Sequence, residues 1–125
     1  MMDTQFDAIV VGSGISGGWA AKELTEKGLK VLVLERGRDI KHQRDYLGEH
    51  ASSAKMNFHG FPDRELIASD YPMQGTSYAF SDATLQFWNN DRLNPYVINE
   101  DKPFDWKRAD VVGGRSLLWG RQVYR

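Results

Sequence analysis

Apolar and polar positions alternate in a regular pattern over the first 37 residues and irregularly after them. Phe6-Asp7-Ala8-Ile9-Val10-Val11 is a short apolar, β-branched run that stops at Gly12-Ser13-Gly14. A run without polar alternation suits a strand covered on both faces, as in a parallel sheet. Over 16–27 the period changes. Gly17, Ala20, Ala21 and Leu24 recur at spacings of three and four, while Lys22, Glu23, Glu26 and Lys27 take the other side. The spacing predicts a helix, with Glu23 and Lys27 at a favourable i,i+4 separation. Gly28 stands where a helix C-terminus favours a residue able to adopt positive φ. Val31-Leu32-Val33-Leu34 then reads as a second buried strand, ending at Glu35-Arg36-Gly37. Strand, helix and strand in about 30 residues make a βαβ unit, which closes right-handed.

Beyond it the pattern breaks down. Residues 38–79 are polar and punctuated by Gly48, Gly60, Pro62, Pro72 and Gly75. They predict loop and turns, with a short helix over 39–47. A loop this long inside a domain suggests a functional cover. The last third is aromatic: Phe80, Phe87, Trp88, Tyr96, Phe104, Trp106, Trp119 and Tyr124. Strands are expected over 95–98 and 107–112. Gly113-Gly114 breaks the chain, and a helix is expected to begin over 115–123.

Composition narrows the class. The chain has 125 residues, with Lys+Arg 16 against Asp+Glu 17 and a formal net charge of −1. That length holds one domain and not a comparable second one. Balanced charge gives no global reason to bind nucleic acid or an anionic membrane. With no cysteine there is no disulfide framework, thiolate zinc site or thiol nucleophile. No stretch approaches the ~20 apolar residues of a spanning helix. Residues 1–7 carry two acids and no Lys or Arg, unlike an export signal, so a cytoplasmic location is the default expectation. His42, His50 and His59 lie eight and nine residues apart, a spacing that preforms no metal site. Ser13 and Ser16 lack a nucleophile elbow and a base. No residue of the chain is assigned a catalytic role.

The chemistry lies in Gly12-x-Gly14-x-x-Gly17, between the first strand and the helix. Gly12 permits the tight turn out of the strand, Gly14 lets a pyrophosphate approach the backbone, and Gly17 lets the helix lie close to the sheet. The free N–H groups of the helix's first turn and its positive dipole end then hold phosphates. Glu35 lies 18 residues beyond Gly17, at the end of the second strand. From there a carboxylate accepts hydrogen bonds from an adenosine ribose. It would repel a 2′-phosphate, which disfavours NADP. Arg36 argues the other way if it pairs with such a phosphate, but Glu35 is the position facing the ribose; Arg36 stacks over the adenine or is solvated. This motif leaves FAD and NAD both open.

A second glycine motif, Val111-Val112-Gly113-Gly114-Arg115-Ser116-Leu117-Leu118-Trp119-Gly120, repeats the cradle logic or forms a turn packed under Trp119. Arg115, Arg121 and Arg125 beside it suit a phosphate-facing or solvated role. Together the two motifs resemble the glucose–methanol–choline oxidoreductases, FAD enzymes that oxidise alcohols and sugars. The resemblance implies that Gly12, Gly14, Ile15, Ser16 and Gly17 hold the FAD pyrophosphate, that Glu35 binds the ribose with Arg36 near the adenine, and that Gly113, Gly114, Ser116, Trp119 and Gly120 approach the flavin. Leu118 stands where one branch has a histidine that attaches FAD covalently, so FAD is expected to dissociate; where another branch has an asparagine, Trp119 or Gly120 stands here. The implied organisation is the N-terminal part of an α/β, Rossmann-like FAD-binding domain: βαβ unit 1–37, cover 38–80 and second flavin-contacting segment 81–125. The resemblance implies that the substrate domain, which would supply the base that takes the proton of an alcohol or sugar, lies outside these residues. This part is expected to be inactive alone and to partner the remainder of its own polypeptide. The alternatives are an NAD-binding module without flavin chemistry and a remnant that binds nothing.

Overall fold

The computed structural model describes residues 5–46, 51–120 and 122–123. β1 (Ala8–Val11), α1 (Ile15–Glu26) and β2 (Val31–Leu34) form the expected βαβ unit, but its strands are not covered on both faces as expected: Ile9, Val11, Val33 and Leu34 are exposed, because among the described residues the sheet has two strands and one helix to cover it. The strands pair in parallel with Ala8 opposite Val31 and Val11 opposite Leu34. At one end of the pair the Asp7 carboxylate accepts from the Lys30 backbone N–H at 2.8 Å. At the other, the Gly12 N–H donates to Leu34 O at 2.7 Å and carries the ladder into the glycine turn. α1 closes as predicted, with Gly28 at φ +85° just beyond Lys27. Its half-buried positions include Gly17, Ala21 and Leu24, whereas Ala20 faces solvent. The ion pair along the helix joins Lys22 to Glu26 at 2.8 Å, one position earlier than the expected Glu23–Lys27 pair. Both pairs are spaced i,i+4, and Lys22 also lies 3.7 Å from Glu23 and over the Trp19 ring, so its ammonium has three partners.

The segment read as loop contains more structure than its punctuation suggests. α2 (Arg64–Asp70) starts at Asp63, whose side chain accepts from the Glu65 and Leu66 backbone N–H groups. An Asp before Arg-Glu-Leu is an N-cap signal that sequence reasoning passed over. The helix expected over 39–47 is only a turn, in which the Asp45 carboxylate binds the Lys41 N–H at 2.8 Å and the Arg44 guanidinium; residues 47–50 lie outside the described part. The expected strand over 95–98 finds no partner strand. That over 107–112 reduces to a single parallel bridge between Val111 and Arg38; where a helix is expected over 115–123 the described residues form one 3-10 turn, Gly114–Leu117, and residue 121 lies outside the described part. Gly113 and Gly114, at φ +90° and +57°, turn the chain there.

The buried side chains among the described residues all lie between 70 and 111. Phe80, Phe87, Trp88 and Val111 are the apolar ones. Tyr71, Phe80 and Trp88 pack as a row of rings, and Tyr46 sets its edge on Phe87. A polar cluster is buried beside them. Asp91 Oδ1 accepts from Gln74 Nε2, Asn89 Nδ2 and Arg108 Nη2 at 2.8 to 2.9 Å, and the Arg108 guanidinium lies 4.8 Å from the Tyr96 ring centre. Asp70 holds Arg92 through two hydrogen bonds, at 2.7 and 3.0 Å. The two regions meet at Gly37, where an added Cβ would stand 2.2 Å from the Val111 nitrogen.

Candidate nucleotide-binding cleft

The three glycines of the first motif sit in three different environments. Gly12 leaves β1 at φ +88°, Gly14 faces open space, and Gly17 packs so close that a Cβ would lie 1.9 Å from Gly12 O. Gly14 is the N-cap of α1 and carries no capping side chain. The N–H groups of the first helical turn therefore keep their capacity for an anion.

Two clefts open on this turn. One, of about 620 Å³, runs past Ile15, Ser16 and Gly17 to Ser77, Trp88, Ser116 and Trp119. The other, of about 560 Å³, runs past Glu35 and Arg36 to Trp106, Asp110 and Gly114. Glu35 turns its carboxylate back toward the glycine turn. Oε2 accepts from the Ser13 N–H at 2.7 Å and the Ser13 hydroxyl at 2.6 Å, and Oε1 accepts from the Gly37 N–H at 2.6 Å. Burial pushes this carboxyl up, but the Ser13 hydroxyl and the Gly37 and Ser13 N–H groups outweigh it and hold it below its ordinary value. Glu35 is therefore an ionised, acceptor-only group at neutral pH. Three donors sit against about four acceptor positions, which leaves capacity for a hydroxyl from the cleft.

The second motif reaches the same place differently than expected. The Gly113 N–H donates to the Ser13 hydroxyl at 2.9 Å, so Gly113 braces the first motif and lines neither cleft. The Ser116 hydroxyl donates to Gly113 O, although Ser116 itself lines the first cleft. Gly120 lies against the Tyr78 hydroxyl and lines neither. Arg36, expected near an adenine or in solvent, is ion-paired with Asp110 at the rim of the second cleft. Sequence reasoning missed Ser13, the hinge between the motifs, because it occupies an unconstrained position of the glycine pattern. It also missed Lys107, Trp88 and Ser77, which the fold brings to the turn from residues that carry no motif. Among the described residues no group of three metal-ligating side chains occurs.

The comparisons with known proteins bear on this site. The family model described as FAD dependent oxidoreductase matches residues 7–101, more than half of the chain. The chain belongs to this FAD-dependent oxidoreductase family. It is 54% identical to protein FixC of Bradyrhizobium diazoefficiens over 94% of its own length and 29% of that protein's. It is 31% identical to protein FixC of Escherichia coli K12 over 98% of its length and 31% of the relative's. A probable electron transfer flavoprotein-quinone oxidoreductase, YdiS of E. coli K12, is 57% identical over 37 residues, 30% of the chain and 9% of that protein. The chain thus spans about three-tenths of the FixC proteins it matches. No solved structure matches it significantly.

These findings overturn the resemblance to the glucose–methanol–choline oxidoreductases. The FixC proteins match nearly the whole chain, second motif included. The physical reason for the misreading is visible. A glycine turn with a strand-end acid answers the needs of any bound dinucleotide, and Gly113-Gly114 serves chain reversal against Ser13. The FAD expectation stands, since the family is FAD-dependent; an NAD module without flavin does not follow. Among the described residues, no helix is long and apolar enough to cross a membrane.

Proposed function

We propose that this chain forms the FAD-holding part of a flavin-dependent oxidoreductase, with FAD lying across the glycine turn and dissociable from it. The observation that carries the reading is Gly14, whose missing side chain leaves open space at the N-terminus of α1, where two clefts meet. A cradle that a Cβ would fill, next to an ionised Glu35, fits a dinucleotide. Gly12, Gly14, Ile15, Ser16 and Gly17 take the diphosphate and Glu35 the ribose, with Arg36 and Asp110 at the rim. Ser116 and Trp119 face the flavin side, with Gly113 and Gly120 behind them. FAD supplies the acceptance and release of an electron pair. The chain's own residues bind and orient it, and the Ser13 hydroxyl keeps Glu35 and Gly113 in register.

The finer expectation, oxidation of a CH–OH group of an alcohol or sugar, rested on the overturned resemblance and has no support from the relatives. Exchange of electrons with a flavoprotein and a quinone appears in the name of one relative, but that relative matches a stretch the length of the nucleotide-binding unit. The reading therefore stops at flavin redox chemistry, completed by the remainder of the polypeptide.

The test is a titration of the full chain with FAD, followed by quenching of flavin fluorescence. Gly14→Val keeps an extended backbone that any residue adopts (φ −63°, ψ −174°) and meets no neighbour. It is expected to leave the melting temperature unchanged and to weaken FAD at least about tenfold by occupying the phosphate's space. Undiminished affinity in this variant overturns the reading.

A further inference from the structure

The two clefts share five lining residues: Val11, Gly12, Gly14, Lys107 and Arg115. On one side of their junction is backbone almost without side chains. On the other are two cations. Neighbouring basic groups are already spent, Arg36 on Asp110 and Arg108 on Asp91. Lys107 and Arg115 have no side-chain hydrogen bond or ion pair among the described residues. Of the acids lining the second cleft, Glu35 is turned into Ser13 and Gly37 and Asp110 is paired with Arg36. The junction is therefore lined by two cationic residues together with the N-terminus of α1. Among the described residues no side chain pairs with either cation, which is the condition for binding a dianion.

We propose that Lys107 and Arg115 are positioning residues that clamp the diphosphate of FAD against the glycine turn. The proposal rests on the reading that this cleft holds FAD and names what secures the middle of the molecule there. The diphosphate joins the two halves of FAD, and these two residues belong to both clefts. A dianion opposite two cations is neutralised without disturbing any ion pair already formed. Lys107 is half-buried and Arg115 exposed, so Lys107 carries the larger share, being less screened by water and salt.

The experiment is the FAD titration of the full chain repeated at low and high salt. The wild-type Kd rises severalfold between about 0.05 and 0.5 M sodium chloride, where the screening length falls from roughly 14 to 4 Å. Lys107→Met keeps the apolar stem and is expected to weaken FAD about tenfold at low salt and to flatten the salt dependence. Arg115→Met weakens it a few-fold. Lys107→Arg restores most of the affinity and the salt slope, which a merely structural role would not require. If Gly14→Val impairs binding while both Met variants keep the wild-type affinity and slope, the clamp is wrong and the FAD reading survives. If the wild-type chain binds no FAD, both fall. A salt-independent wild-type Kd overturns the clamp even where a Met variant fails to fold.

Discussion

The βαβ front and the aromatic back of this molecule are built on opposite terms. The front has the regular hydrogen bonding: a parallel ladder and a three-turn helix, joined by tight glycine turns. It has almost no interior. No residue of α1 is buried, and Ile9 is 62% and Trp19 64% exposed. The back has short turns, one seven-residue helix and isolated bridges. Yet it holds Val111 at 1% exposure and Gln74 at 0%. Regular backbone and a buried core are separate achievements, and here they fall in different halves. The front offers a binding edge and the back gives it something to stand on. The links between them include the Val111–Arg38 bridge, the Gly37 contact, the Ser13–Gly113 hydrogen bond and the Arg36–Asp110 ion pair.

Breaking the Gly37 contact should have the largest effect. In Gly37→Ala the new methyl group meets the Val111 nitrogen at 2.2 Å and the Asp110 carbonyl carbon at 2.4 Å, both backbone atoms that no rotamer can move aside. A loss of about 4 kcal/mol or more is expected, at the diagnostic end for a point mutation. The urea midpoint and the soluble yield measure it; a shift below about 1 kcal/mol would mean that the two halves do not bear on each other.

Next comes Arg108→Met, which attacks the back alone. The Arg108 and Asp91 side chains are 4% and 12% exposed, so removing the cation strands a carboxylate out of water at a cost of about 3 to 5 kcal/mol. The βαβ backbone should keep its helical circular dichroism signal while near-ultraviolet signals from Trp88 and Trp106 are lost. Loss of both signals together would show a single cooperative unit and dissolve the contrast.

Acid should produce a smaller, graded version of the same injury. Hydrogen bonds from Arg92 and then Asn90 hold the Asp70 carboxyl down at about 2, against 3.8 ordinarily. Because the folded value is the lower one, this stabilisation is fully present above about pH 4 and drains away as pH falls through 2. Glu35, also held low, adds a loss of the same sign in the front. Denaturant midpoints between pH 5 and 2 should fall, and Asp70→Asn should flatten that fall. An unchanged slope in Asp70→Asn would remove Asp70 from the account.

The contrast also explains what could be foreseen. The βαβ unit was legible because its rules are local: two short unbroken apolar runs, a period of 3.6 between them, and glycines at fixed offsets. Even the tight turn at Gly12 and the close packing at Gly17 follow from sequence. The back was not legible, since its core depends on meetings between distant residues. Gln74 reaches Asn89, Asp70 reaches Arg92, and Arg108 lies between Tyr96 and Trp106, and no spacing announces any of them. The strand expected over 107–112 has strand-like composition but only one residue's worth of partner. The cleft was half legible for the same reason. Its glycine floor is a motif, while Lys107 and Trp88 arrive by tertiary folding. The family error has this origin too, since two glycine turns report a demand of geometry that unrelated flavoproteins share.

The sharpest version of the comparison uses one chemical change in both places. Val111→Thr and Ile9→Thr each put a hydroxyl where an apolar group stood and keep the β-branch that strands favour. At Val111 the hydroxyl enters a site closed to water, and an unsatisfied donor there costs about 1 to 3 kcal/mol. At Ile9 the side chain points away from α1, since the intervening Val10 is the residue beneath Gly17. Its hydroxyl is met by solvent, so the cost should stay within about 0.5 kcal/mol. Ile9→Thr combined with Trp19→Gln should also reduce aggregation of the 125-residue chain and its binding of a hydrophobic dye, because both exposed patches favour association. A penalty at Ile9 equal to that at Val111, or dye binding unmoved by the double change, would mean that the front face is covered in solution, and the division drawn here between an ordered edge and a buried support would have to be abandoned.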